Sequence, residues 1–148
     1  MKIEEEIKQT KFKNSHQKAV INLLYTTGWL LGRQKEIFKP FNITLQQFNM
    51  LRILRGQHPN STSATEIKSR MLDKNSDVSR LLDRLLAKGI ISKKTSVSDK
   101  RAADITLTEE GLELLRALDK KQSQIDNVLL LNDEDAALLS DLLDKSRG

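Results

Sequence analysis

Around Gly89 the chain changes its period, and that change narrows the fold more than any other feature. Before it, Val78, Leu81, Leu82, Leu85 and Leu86 recur as one apolar face of a helix. Lys88-Gly89 then supplies a cationic last turn and a glycine stop. Directly afterwards residues 90–95 and 103–107 are short, β-branched and partly alternating, as paired strands are. Between them Ser96-Val97-Ser98-Asp99-Lys100-Arg101-Ala102 is polar and charged, so the spacing predicts a hairpin with a basic tip.

Upstream, the apolar residues from Phe12 to Phe38 keep helical spacing, which predicts one long helix over 12–38. Lys39-Pro40 ends it, because the residue before proline is pushed out of the helical region. Thr44-Leu45-Gln46-Gln47 has the form of a capping box, and Phe48, Leu51 and Leu54 give the helix it opens a buried stripe, closed near Gly56. Ser63-Ala64-Thr65-Glu66 is a second such box, opening a short helix with Ile67 and Met71 inward. Asn75 is read as the cap of the helix that carries the 78–86 stripe. Beyond the hairpin, Thr108 caps a fifth helix predicted to reach about Leu131, and Asn132 caps a last one.

Composition removes several classes of function. The absence of cysteine excludes disulfides, thiolate-bound metal and thiol redox chemistry. The two histidines, His16 and His58, are far apart, so no metal site, no cofactor and no acid–base catalytic set is expected, and the chain reads as no enzyme. Residues 20–32 form the longest apolar stretch, too short and too polar to span a bilayer. The charged beginning carries no secretory pattern, so the expectation is a soluble, cytoplasmic protein without a membrane partner. The net charge of +5 is unevenly spread: +4 over residues 1–40, +6 over 41–107 and −5 over 108–148. A basic centre is what a polyanion-binding lobe requires.

Helix, helix, turn, helix and hairpin in that order make a winged helix-turn-helix, mainly α with a small β-hairpin. The expected organisation is an N-terminal dimerisation helix over 1–40, a DNA-binding lobe over 41–107 and C-terminal dimerisation helices over 108–148. Opposite its stripe, the fourth helix presents Ser76, Asp77, Ser79, Arg80, Asp83, Arg84 and Ala87. The two arginines, one turn apart, suit guanine edges or phosphates of a major groove that admits one helix. The competing reading is a solvated face on which Asp77 and Asp83 pair with Arg80 and Arg84. The basic hairpin beside that helix favours DNA, provided that Arg80 and Arg101 face one concave surface.

Residues 10–146 resemble regulators of the multiple-antibiotic-resistance (MarR) family. The resemblance is carried by Gly89-Ile90-Ile91-Ser92-Lys93, Asp99-Lys100-Arg101 and Ile105-Thr106-Leu107-Thr108 with Gly111 beyond. Ile43-Thr44-Leu45-Gln46-Gln47-Phe48 and Val78-Ser79-Arg80-Leu81-Leu82-Asp83-Arg84-Leu85 extend it. It implies a homodimer that binds a palindromic operator in double-stranded DNA, usually as a repressor. Physical reasoning points the same way, since the two arms each expose an apolar stripe that a second copy would cover. A twofold axis would then set recognition helices about 34 Å apart, one turn of DNA.

The resemblance assigns Arg101 to the minor groove. Lys93 and Lys100 are read as further cationic contacts, and Ser76, Asp77, Ser79, Arg80 and Arg84 complete the candidate DNA-binding set. Asp99 is read as a brace that pairs with a basic side chain to shape the wing, and Asp77 doubles as a stabiliser of the helix start. Lys93 and Lys68 depart from the arginine and alanine common in the family. By analogy with relatives released by small anionic aromatics, Tyr25, Trp29, Arg33 and Phe48 are a candidate effector pocket, with plain packing as the alternative. A winged helix that meets an acidic protein surface instead of DNA is the other reading of the whole.

Overall fold

The capping residues set the framework of the computed structural model, which describes residues 1–148. A short helix α1 (Ile3–Glu6) precedes the long α2 (Ser15–Phe38). A 3₁₀ turn over Lys39–Phe41, with Pro40 inside it, leads through Asn42 in the left-handed region (φ 53°) to α3 (Leu45–Gln57). The Thr44 capping box is complete. Its hydroxyl accepts the Gln47 N–H at 3.1 Å, and the Gln47 side-chain carbonyl accepts the Thr44 N–H at 3.1 Å. Ser63 caps α4 (Ala64–Arg70) by accepting the Glu66 N–H.

The chain divides into two compact units, Met1–Gln34 with Asn127–Gly148, and Lys35–Asp126. The second unit holds the main core, in which Phe38, Met50, Leu51, Ile67, Leu85, Ile105, Leu115 and Leu118 are fully buried. Its bounds are wider than the lobe expected over 41–107. Leu115 and Leu118 of α6 (Glu109–Asp119) are core residues there, so the first helix after the hairpin belongs to the lobe.

The helix that carries the 78–86 stripe starts two residues later than the sequence suggests. The side chain of Asp73 accepts the Asn75 N–H at 2.9 Å, and its carbonyl accepts the Ser76 N–H at 3.2 Å. That turn consumes the segment in which Asn75 was to cap. Asp77 caps α5 (Val78–Ala87) instead, its carboxylate accepting the Arg80 N–H at 3.1 Å. Val78, Leu81, Leu82 and Leu85 are buried, as the stripe requires.

Gly89 has φ +72°, the left-handed stop that turns the chain from α5 into the hairpin. Strands β1 (Ile91–Thr95) and β2 (Ala103–Leu107) pair antiparallel with Lys93 opposite Ile105. A third piece joins the sheet: Thr62 exchanges N–H···O bonds of 2.9 and 3.0 Å with Ile105. This bridge fastens the start of α4 to the wing, and a lone threonine between turn residues gives no period by which to read it. Thr108 caps α6 and also donates its hydroxyl to the Gly89 carbonyl at 2.7 Å.

The fifth helix does not run to Leu131. It stops at Asp119, resumes as α7 (Gln122–Asp126) and is followed by Leu130 at φ 52°. Residues 119–124 are all polar, so no apolar contact holds a continuous helix there. The Lys121 N–H instead closes a three-residue step on the Leu118 carbonyl at 2.8 Å.

In the first unit, α8 (Asp133–Ser146) is capped by Asn132 and buries no side chain. On α2, Val20, Leu23, Leu24 and Leu31 are between 49% and 69% exposed. Segment α1 folds back through acidic side chains: Glu4 pairs with Lys18, and the Tyr25 hydroxyl donates to Glu6 at 2.6 Å. No helix is long and apolar enough to cross a membrane.

Candidate nucleic-acid interface

Helix α5 stands as a ridge between two grooves. One, of about 560 Å³, is lined by Ser79 and Asp83 of α5, Thr65 of α4, and Lys93, Thr95, Lys100 and Arg101 of the hairpin. The other, of about 380 Å³, is lined by Asp77, Arg80 and Arg84 of α5 and Gln46 of α3. Arg101 lines the first groove and Arg80 the second. They flank the same helix, one on each side.

The charge on these flanks is free. Arg80, Arg84, Lys93, Lys100 and Arg101 are all exposed, and none lies within 4.0 Å of a carboxylate. The ion pairs that do form are elsewhere: Lys18–Glu4, Arg55–Asp119, Arg70–Glu66, Arg116–Glu109 and Arg147–Asp144. The competing reading of a self-neutralised helix face thus fails on geometry. The Asp77 carboxylate is occupied by the helix end, and Asp83 reaches neither arginine. An exposed cation kept from intramolecular pairing keeps its full attraction for an external anion.

The wing is braced, but not as an ion pair. The Asp99 carboxylate accepts the main-chain N–H of Arg101 at 2.9 Å, an Asx turn that orients the backbone carrying that arginine. Buried Ser96 closes the tip, donating its N–H to the Ala102 carbonyl at 3.1 Å and accepting the Asp99 N–H at 3.4 Å. No basic side chain lies within 4.0 Å of the Asp99 carboxylate.

Two candidates leave their expected settings. Ser76 is only 7% exposed, with its Oγ buried and without a hydrogen-bond partner, so it does not stand on the outer face of α5. Phe48 is 3% exposed in the core of the second unit, tilted against Phe38 at 4.7 Å between ring centroids, so it lines no open pocket. For Phe48 the plain-packing alternative holds, because the core takes an aromatic at this inward position of α3. Tyr25, Trp29 and Arg33 are exposed on α2, and the bond to Glu6 raises the Tyr25 hydroxyl above its ordinary pKa by stabilising the protonated form.

Gln46, Thr65 and Thr95 were not singled out from the sequence, yet they line the grooves. Gln46 follows a helix cap at a polar position, and its amide donates to Asp73 at 3.2 Å. Such residues become visible only when α3 and α5 are set side by side.

Residues 43–103 match a family model described as "MarR family". The HTH-type transcriptional regulator PecS of Dickeya dadantii is 29% identical over 98 residues, which is 65% of this chain and 59% of that protein. The match therefore spans less than two thirds of that relative's length. A crystal structure of a MarR transcription factor from Planctomyces limnophilus superposes with a TM-score of 0.70 at 29% identity, covering 93% of this chain and 98% of that one. The S. aureus MepR–DNA complex matches in fold with a TM-score of 0.76 at 21% identity, over 92% of this chain and 97% of that one.

Proposed function

We propose, from the premise that residues 43–103 are a MarR-family domain, that this chain is a DNA-binding transcriptional regulator which reads double-stranded DNA as a homodimeric repressor of a palindromic operator. One observation carries the reading: five exposed cations without carboxylate partners line the grooves on either side of one helix, two on the helix and three on the hairpin beside it. A ridge of this kind suits the major groove, about 12 Å wide, while a basic wing beside it reaches the neighbouring backbone or minor groove. Arg80 and Arg84 are the base or phosphate contacts of α5, with Ser79 beside them. Lys93, Lys100 and Arg101 act from the wing. Asp77 serves as the helix cap and Asp99 as the turn brace, while Ser76 stays inside.

The dimer rests on the unpartnered apolar faces of α2 and α8, where Leu24 is 69% and Leu138 and Leu142 are 55% and 54% exposed. A second copy that covers these leucines removes them from water. Tyr25, Trp29 and Arg33, at four-residue spacing on α2, remain the candidate contacts for an anionic aromatic effector. Phe48 is not among them.

The test starts by selecting bound duplexes from a random pool. The selected sequence is expected to be palindromic, and Arg101→Ala is expected to lower affinity and reduce the salt slope by about one. A pool that shows no enrichment, with Arg101→Ala indistinguishable from wild type, would refute the reading.

A further inference from the structure

The α5 helix ends on Lys88, and the side chain of this residue does something that its position does not require. A lysine in a last turn usually sits over the carbonyls of its own helix. Here its ammonium donates to the carbonyl of Asn42 and lies 3.4 Å from the side-chain carbonyl of Gln47. Both acceptors belong to the junction between the end of α2 and the start of α3. Asn42 is held in the left-handed region directly after the 3₁₀ turn, and Gln47 is 3% exposed and already accepts the Thr44 N–H.

Three elements thus meet at one charged group: the cap of the 3₁₀ turn, the first turn of α3 and the end of α5. A charge-assisted bond to a carbonyl is stronger and more directional than a neutral one. Apolar packing along α5 leaves that helix some freedom to slide and rotate, because burial is non-directional. The Lys88 tether restrains one end of α5 against the α2–α3 junction.

We propose that Lys88 is a positioning residue for DNA recognition: it sets the angle at which α5 presents Arg80 and Arg84 without touching DNA itself. This inference rests on the DNA-binding reading above.

The experiment uses full-length protein, a duplex selected by the wild type from a random pool, and a scrambled duplex of equal length. Lys88→Met keeps most of the aliphatic stem and loses the ammonium, and Lys88→Arg keeps a donor cation. Lys88→Met is expected to weaken binding to the selected duplex about tenfold, which is about 1.4 kcal/mol. Its affinity for the scrambled duplex and its salt slope should stay unchanged, and Lys88→Arg should recover most of the loss. Faster amide exchange along α5 in free Lys88→Met is expected as well. Equal losses on both duplexes with a slope reduced by about one would make Lys88 a phosphate contact and overturn the proposal. So would unchanged affinity, or a drop in melting temperature without a change in specificity. If the wild type itself selects no sequence, the DNA-binding reading fails and this proposal falls with it, a result distinct from a wild type that selects and a variant that does not differ.

Discussion

Gly111 packs directly against the Ile90 carbonyl, and replacing it tests how the wing is seated. A β-carbon built there would lie 2.2 Å from the Ile90 carbonyl oxygen, 3.2 Å from the Ile90 carbonyl carbon and 3.3 Å from Leu107 Cδ2. The obstacle is main chain, so no side-chain rotation relieves it. Relief requires the first turn of α6 to move by roughly 1 Å from β1, judged against an ordinary nonbonded contact. The Thr108 N–H···Ile90 bond is already 3.3 Å and would open with it. Overpacking of this kind costs about 1–3 kcal/mol, and the lost hydrogen bond about 1 more. Alanine's helix preference returns up to about 1. The net for Gly111→Ala is a loss of about 1–3 kcal/mol, or roughly 3–10 °C in melting temperature for a domain of this size. Thermal melts at fixed protein concentration measure it, since the stability of the proposed dimer would depend on concentration. An unchanged or higher melting temperature would show that β1 and α6 are not packed this closely.

Four shorter expectations accompany it. Asp77→Ala removes the α5 cap and should lower stability by about 1 kcal/mol. Its affinity for DNA should hold or rise, since a carboxylate leaves the interface, whereas a base contact at Asp77 would show as lost specificity in a gel shift. Phe48→Ala should cost about 3–5 kcal/mol in denaturant unfolding, as expected of a core aromatic and not of a pocket lining. Gly28→Ala meets nothing within 4 Å in a single copy and should raise helix stability by up to about 1 kcal/mol. Weaker self-association by ultracentrifugation would instead place Gly28 in a close dimer contact. The Lys18 ammonium hydrogen-bonded to Glu4 holds that carboxyl below its ordinary pKa, so their contact is present above the unfolded carboxyl range and is lost as pH falls through the lowered value. Following the Glu4 carboxyl by NMR, Lys18→Met should return its titration toward the unperturbed position.

The candidate interface was partly legible in the chain. Arg80, Arg84, Lys93, Lys100 and Arg101 could be named because cations at outward helical positions and on a short hairpin have few places to go but the surface. Their freedom from Asp77 and Asp83 could not be read, since pairing depends on where each carboxylate's other hydrogen-bond partners lie. Ser76 and Phe48 failed for a related reason. A small hydroxyl beside a cap and an aromatic on an amphipathic helix fit a site and a core equally well in sequence.

What the chain decided alone was local. Helix starts at Thr44, Ser63, Thr108 and Asn132, the left-handed stop at Gly89 and the strands on either side of the basic tip all follow from interactions within a few residues. Those contacts form whatever the rest of the fold does, so short-range pattern suffices to find them. Tertiary structure decided the rest: the Thr62 bridge to Ile105, the packing of α6 into the lobe and the tie from Lys88 to Asn42. Each joins or competes with residues distant in sequence, and burial and directional hydrogen bonding settle such contests only once the chain has closed on itself.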